Sequence, residues 1–118
     1  MSGCHGNDEQ KKGHLEASVA HPLASLVAVN EGAVVSRTLT KGKAGTLTVF
    51  AFAEGQELSE HSAPFDAWVQ VLEGSVELTI GGEKVLAKLG ELVCMPADIP
   101  HALRAPEPMK MLLTMFRG

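Results

Sequence analysis

The chain has 118 residues, 45% of them hydrophobic and 20% charged, which predicts one folded domain and excludes a disordered chain. The net charge of −4 and the ten scattered basic residues leave no dense basic stripe, so we expect no nucleic-acid partner. No apolar run approaches the length of a membrane span, so we expect no membrane partner.

The N-terminal region differs in composition from the rest of the chain. Residues 1–20 are mostly polar, and we expect a flexible tail there, followed by one domain over 21–118. The tail lacks the apolar stretch of a secretory signal, which predicts a cytoplasmic protein. The apolar stretch 22–29 allows one or two turns of helix, since proline is tolerated at a first helical position.

From Ala33 onward, short runs rich in β-forming residues alternate with glycine-containing turns. These runs cover 34–40, 46–52, 68–72, 76–80, 85–89, 92–95, 102–104 and 109–116. No helix-length segment lies between them, so parallel crossovers are excluded and an antiparallel sandwich or closed barrel is expected. The pair Gly81-Gly82 is a two-residue hairpin signal.

Two motifs interrupt this pattern, and the first begins at Gly55. His61 follows after five residues, and a further glycine, Gly74, closes the motif. Ala63 lies two residues after the histidine, and Ala67 lies four residues later.

The second motif begins at Gly90 and continues with Pro96 and His101. Asp98 lies two residues after the proline, and Ala105 lies four residues after the histidine. Aspartate is among the few residues other than glycine that tolerate a left-handed backbone conformation, which such a turn requires.

Between Gly55 and Ala105 the chain resembles the cupin superfamily, and in particular small, mostly uncharacterised single-domain cupins of the RmlC-like type. The resemblance implies an all-β fold, the antiparallel double-stranded β-helix or jelly-roll barrel, with a short N-terminal helical segment. Metal-binding cupins generally present three histidines and one glutamate. Here Ala63 and Ala67 replace the second histidine and the glutamate, so His61 and His101 remain. The resemblance therefore implies at most a weakly held divalent metal, Fe, Mn, Ni or Zn.

Further groups near the motifs are candidates for chemistry. Asp66 is a possible third metal ligand, although aspartate also favours turns on its own account. His61, His101 and Asp66 are the catalytic candidates, because a histidine acting as general base needs an orienting partner, and Asp66 or Asp98 could supply it. Cys94, in an apolar strand, is expected to be an inert thiol unless the pocket lowers its pKa.

The alanines in the motifs leave space for a small, apolar pocket with two imidazoles at its rim. The residues expected to line it are Ala63, Phe65, Ala67, Met95 and Leu103. Alternation along 109–116 places either the methionine-rich set beginning at Met109 or the set beginning at Lys110 toward the interior.

Three functions follow from these residues. The first is a cupin that binds a small organic molecule, with or without a weak metal. The second is a metal-dependent enzyme of dioxygenase or isomerase type, or a metal-free isomerase. The third is a barrel that mainly mediates dimerisation, since exposed strand edges such as 34–40 need covering, and a homodimer is expected in any case.

Overall fold

The structure, a computed structural model, describes residues 15–117. A short 3-10 turn is followed by strands that each end at a turn or loop. The bounds are: 3-10 turn Leu23–Leu26, β1 Val34–Gly42, β2 Gly45–Phe52, β3 Glu57–His61, β4 Ala67–Glu73, β5 Ser75–Ile80, β6 Glu83–Lys88, β7 Leu92–Met95, β8 His101–Arg104 and β9 Met109–Phe116. No helix within residues 15–117 is long and apolar enough to cross a membrane.

The strands form two sheets, with strand order β1-β2-β9-β4-β7 in one and β3-β8-β5-β6 in the other. Every recorded strand pair is antiparallel. The predicted all-β antiparallel jelly-roll fold is therefore confirmed, and the 3-10 turn agrees with the predicted helical segment. β1 lies at an edge of its sheet, as the sequence pattern suggested for 34–40.

The strand β3 was not predicted from the sequence. Its side chains are exposed except for Leu58, which is half-buried, so the segment lacks the apolar alternation that identifies a strand. Pairing with β8 makes it a strand: Leu58 lies opposite Leu103, and His61 lies opposite His101. This pairing brings the two motif histidines together.

Two turns have the backbone that the sequence indicated. Gly81 and Gly82 join β5 to β6 with φ angles of 58° and 87°, and Ile80 pairs with Glu83 across them. Two consecutive positive φ angles match the right-handed twist of a hairpin, and glycine adopts them without steric cost. Asp98 has φ of 64°, so it does adopt the left-handed conformation that was expected of it.

The main core lies between the two sheets and is formed by side chains from both. The largest buried residues in it are Phe52, Leu78, Met109 and Met111.

A second apolar cluster lies around Val49 and Ala51 of β2, which are fully buried. The chain preceding β1, including Leu23 and Leu26, packs against it. Because strand side chains alternate, this cluster occupies the face of the sheet opposite to Phe52.

The N-terminal segment is fixed to the barrel by two hydrogen bonds. The backbone N–H of Leu15 donates to the carbonyl oxygen of Leu39 at 3.1 Å, and the Lys110 ammonium donates to the carbonyl oxygen of Ala24 at 2.6 Å. The proposed tail boundary at residue 20 stays a prediction, and most of that tail, including Cys4, lies outside the described residues.

Candidate functional site

His61 ends β3 and His101 begins β8, and the antiparallel register places their side chains against each other. Their Nε2 atoms are 3.2 Å apart, and the ring centroids are 4.4 Å apart with the planes at 74°. His101 is 3% exposed, while His61 is exposed. The pair therefore spans the boundary between the barrel interior and its surface.

Backbone carbonyl groups orient both rings. Nδ1 of His61 lies 2.9 Å from the carbonyl oxygen of Ser59, and Nδ1 of His101 lies 3.3 Å from the carbonyl oxygen of Ile99. A carbonyl oxygen can only accept, so each Nδ1 is assigned the proton. In a neutral ring with this tautomer Nε2 carries a lone pair, and the two Nε2 atoms lie 3.2 Å apart, close enough to share a proton or to bind one cation.

Burial lowers the pKa of His101 below its ordinary value of 6.5, and the neighbouring His61 lowers it further. The hydrogen bond to Ile99 opposes these two effects but does not outweigh them. A lowered pKa favours the neutral imidazole, which is the form that coordinates a metal.

A small cavity of about 50 Å³ lies next to the histidine pair, and both imidazoles form part of its wall. Apart from the two imidazoles, its walls are apolar side chains from both sheets and from the loop between β3 and β4: Leu58, Ala63, Ala67, Met95, Leu103, Met111, Leu113 and Met115. Ligand pockets for drug-sized molecules have about 300–1,000 Å³, so only a group of a few non-hydrogen atoms fits inside.

Four of the five residues predicted to line the pocket do line this cavity: Ala63, Ala67, Met95 and Leu103. Phe65 does not line it; the guanidinium carbon of Arg117 lies over the Phe65 ring, 5.5 Å from the ring centroid. The sequence indicated an apolar residue near the motif histidine. It could not show that Arg117, which directly follows β9, would pack on Phe65.

The cavity is also lined by four residues outside the five predicted for the pocket. Leu58 belongs to the unpredicted strand β3. Met111, Leu113 and Met115 belong to β9, where alternation left two faces open, and the structure shows that this methionine-rich set faces the interior.

The aspartates and the cysteine do not have the surroundings expected of site residues. The Asp66 carboxylate accepts a hydrogen bond from the backbone N–H of Ala97 at 2.9 Å and thereby links two loops. Backbone carbonyl groups, and neither Asp66 nor Asp98, lie against the Nδ1 atoms of the two histidines. Burial raises the pKa of the Cys94 thiol, and the charge of Asp66 raises it further, which is the opposite of an activated thiolate.

Two imidazole nitrogens with convergent lone pairs fit a metal cation as two of its ligands. Two metal–nitrogen bonds of about 2.0–2.1 Å span the observed Nε2–Nε2 distance at an angle of roughly 100°, close to tetrahedral. Across residues 15–117, however, no three His, Cys, Asp or Glu side chains are close enough to hold one ion. The structure does not bring Asp66 to the pair, and no other described carboxylate or thiol joins it.

The family to which the chain belongs follows from a match that includes both histidines. The model of the Cupin domain family matches residues 48–115, which is more than half of the chain, and the chain belongs to this family. Comparison with curated proteins found no match.

Solved structures support the same assignment. A conserved protein of unknown function from Streptococcus pyogenes is 37% identical, with a TM-score of 0.84 over 89% of this chain and 92% of that one. A cupin superfamily protein from Desulfitobacterium hafniense is 26% identical, with a TM-score of 0.83 over 92% and 98% of the two chains. A Cupin 2 conserved barrel domain protein from Leptotrichia buccalis is 37% identical, with a TM-score of 0.80 over 82% of this chain and 47% of that longer one.

Proposed function

We propose that this cupin binds a small organic molecule at the barrel cavity, and that His61 and His101 hold a metal cation weakly beside it. The observation that carries the proposal is the 3.2 Å approach of the two Nε2 atoms while both Nδ1 atoms face carbonyl oxygens.

The two Nε2 lone pairs lie close together, and a positive charge between them would stabilise this approach. A proton shared by the two rings or a metal cation would supply that charge. Burial lowers the pKa of His101, which works against the proton. At neutral pH the His101 ring is therefore neutral, which is the form of imidazole that coordinates a metal cation.

The cavity restricts what the organic ligand can be. Its volume of about 50 Å³ and its apolar walls admit one small apolar group, so the rest of the molecule would remain at the surface beside His61. A bound cation has coordination positions that the protein does not fill, and as a Lewis acid it would attract an oxygen or nitrogen of that molecule. An enzymatic role stays a prediction, because no described acid orients either histidine.

The test begins with the metal content of protein purified without a histidine tag, followed by titration of the metal-free protein with Zn²⁺. We expect Zn²⁺ to raise the melting temperature of the natural protein, since a ligand of the folded state stabilises it. The rise should disappear in the His61→Ala variant. It should persist in His21→Ala, whose imidazole bonds to the carbonyl oxygen of Glu16, away from the cavity. Equal responses in both variants would exclude the histidine pair as the metal site.

Small organic acids, alcohols and amines are then screened by thermal shift, with and without Zn²⁺. We expect stabilisation by compounds that carry one polar end and an apolar end of a few atoms. This stabilisation should weaken in the Ala67→Leu variant, whose larger side chain would occupy part of the cavity. Stabilisation that is equal in Ala67→Leu and in the natural protein would contradict binding in the cavity.

We also propose that the chain forms a homodimer in the cytoplasm. In support, Leu86 and Leu92 of β6 and β7 are 52% and 57% exposed, and both strands lie at sheet edges. Exposed apolar side chains on strands that have one free edge favour association. Sedimentation velocity should show a dimer that Leu86→Glu with Leu92→Glu dissociates, and a natural protein that sediments as a monomer would contradict the proposal.

A further inference from the structure

Three methionine side chains line the same cavity as the two histidines. They are Met95 at the end of β7, and Met111 and Met115 of β9. Met95 and Met111 are 2% and 1% exposed. The cavity that the two imidazoles line is therefore also lined by thioether-bearing side chains, of which Met95 and Met111 are shielded from water and Met115 is half-buried.

Strand register concentrates two of these methionines at one point. Ala67 pairs with Met95 on one side and with Met115 on the other. Directly opposed residues of antiparallel strands have Cβ atoms about 4.5–5.5 Å apart and share a face of the sheet. The small Ala67 side chain is thus flanked by two long, flexible thioethers on the face that forms the cavity wall.

The set of donors around the cavity is soft. Across residues 15–117, no carboxylate or thiolate joins the two imidazoles in a metal-binding group. Thioether sulfur favours Cu(I), whereas ions such as Mg²⁺ and Mn²⁺ prefer oxygen ligands, and imidazole suits copper as well as zinc.

From this juxtaposition we infer that the cavity binds a cuprous ion through Nε2 of His61, Nε2 of His101 and a methionine thioether, Met95 or Met115. The inference rests on the proposed role of the histidine pair as a cation site, and it replaces the divalent ions expected from the family resemblance with Cu(I). Two bonds of about 2 Å in a straight line would hold the Nε2 atoms about 4 Å apart. The observed 3.2 Å requires a bent arrangement, which leaves one side open to the sulfur.

The experiment is an anaerobic titration of the full chain with Cu(I), in competition with a chromophoric cuprous chelator, and a parallel titration with Zn²⁺. The titrated protein is a Cys4→Ser, Cys94→Ser variant, because thiols also bind Cu(I). This variant is the parent of those below. We expect one equivalent of Cu(I) to bind, and His61→Ala to abolish that binding.

Methionine variants decide the role of sulfur. Leucine has nearly the volume of methionine, so Met95→Leu combined with Met115→Leu preserves packing. This variant should weaken Cu(I) binding by at least ~10-fold while leaving Zn²⁺ binding unchanged. The matched control is Met109→Leu, since Met109 is fully buried on the same strand as Met115 but does not line the cavity, and it should behave like the parent.

X-ray absorption at the copper edge gives an independent readout. We expect a sulfur shell in the parent that is lost in the Met95→Leu, Met115→Leu variant. Undiminished Cu(I) affinity in that variant, or copper without sulfur ligands in the parent, would overturn the inference. Zn²⁺ binding at the histidines with no Cu(I) binding would overturn the copper inference alone, whereas binding of neither ion would overturn the proposed cation site as well.

Discussion

Nε2 of His61 lies 3.2 Å from Nε2 of His101, although 40 residues separate the two in sequence. The pairing of β3 with β8 produces this contact, and carbonyl oxygens two residues before each histidine fix the rings. The backbone alone thus aligns the two nitrogens, and no acidic side chain is needed to orient them. The predictions below follow from this arrangement and from the turns that support it.

Adding a third imidazole should strengthen divalent metal binding. Ala63 lines the cavity two residues from His61, and the Ala63→His variant would place a further nitrogen donor there. We expect Zn²⁺ affinity, measured by calorimetry, to rise at least ~10-fold. The control is Ser62→His, whose side chain is exposed and lies outside the cavity lining. If both variants bind Zn²⁺ alike, position 63 does not face the site.

Stability without metal should depend on pH through His101. Its pKa is lowered in the folded protein by burial and by His61, so the unfolded chain binds the proton more tightly. The stabilisation from the neutral ring is therefore present above pH 6.5, the ordinary value, and is lost as the pH falls from there toward the folded pKa.

Urea denaturation in the presence of a chelator, at pH 7.5 and at pH 5, measures this effect. The natural protein should lose more stability between the two pH values than His101→Asn does. His21→Asn serves as the control and should follow the natural protein. Parallel losses in the natural protein and His101→Asn would show that the ring is not held neutral.

The turn before His101 should tolerate glycine at position 98 and reject a β-branched residue. Asp98 has φ of 64°, and its backbone N–H donates to the carbonyl oxygen of Ala63 at 2.7 Å, which ties the two motifs together. Asp98→Gly should keep the melting temperature close to that of the natural protein. Asp98→Val should cost about 1–3 kcal/mol of unfolding free energy and should weaken Zn²⁺ binding, because the loop positions His101. A valine variant of unchanged stability would contradict the left-handed conformation.

Gly74 should be more sensitive to substitution than Gly90. Both have positive φ, 71° and 85°. A Cβ at Gly74 would lie 2.4 Å from the carbonyl oxygen of Pro108, whereas a Cβ at Gly90 would have no atom within 4 Å. Gly90→Ala should cost about 1–2 kcal/mol from backbone strain alone, and Gly74→Ala should cost clearly more. Chemical denaturation of both variants measures the difference, and equal losses would mean that Pro108 moves aside freely.

Local signals in the sequence were sufficient to predict most of the fold. Alternating apolar residues and glycine-rich turns located β1, β2 and the strands from β4 to β9. Asp98 could be assigned a left-handed backbone because few residues tolerate it. The strand β3 could not be predicted, since its exposed residues become a strand only through pairing with β8.

The site was predictable in part. Motif spacing identified His61 and His101, but their orientation depends on carbonyl groups whose positions no residue type reveals. Phe65 does not line the cavity, and its contact with Arg117 joins segments that are distant in the chain, which residue type alone does not reveal. Alternation alone could not choose which face of β9 turns inward, since both faces carry apolar residues.

Nitrogen chemical shifts of the imidazole rings test the central claim most directly. In the natural protein at pH 8, two-dimensional ¹H–¹⁵N spectra should show His61 and His101 both protonated on Nδ1, with unprotonated Nε2 atoms. Addition of Zn²⁺ should shift both Nε2 resonances together and leave His21 unchanged. A proton on Nε2 of either ring in the metal-free protein, or a Zn²⁺-induced shift at only one of them, would contradict the shared site.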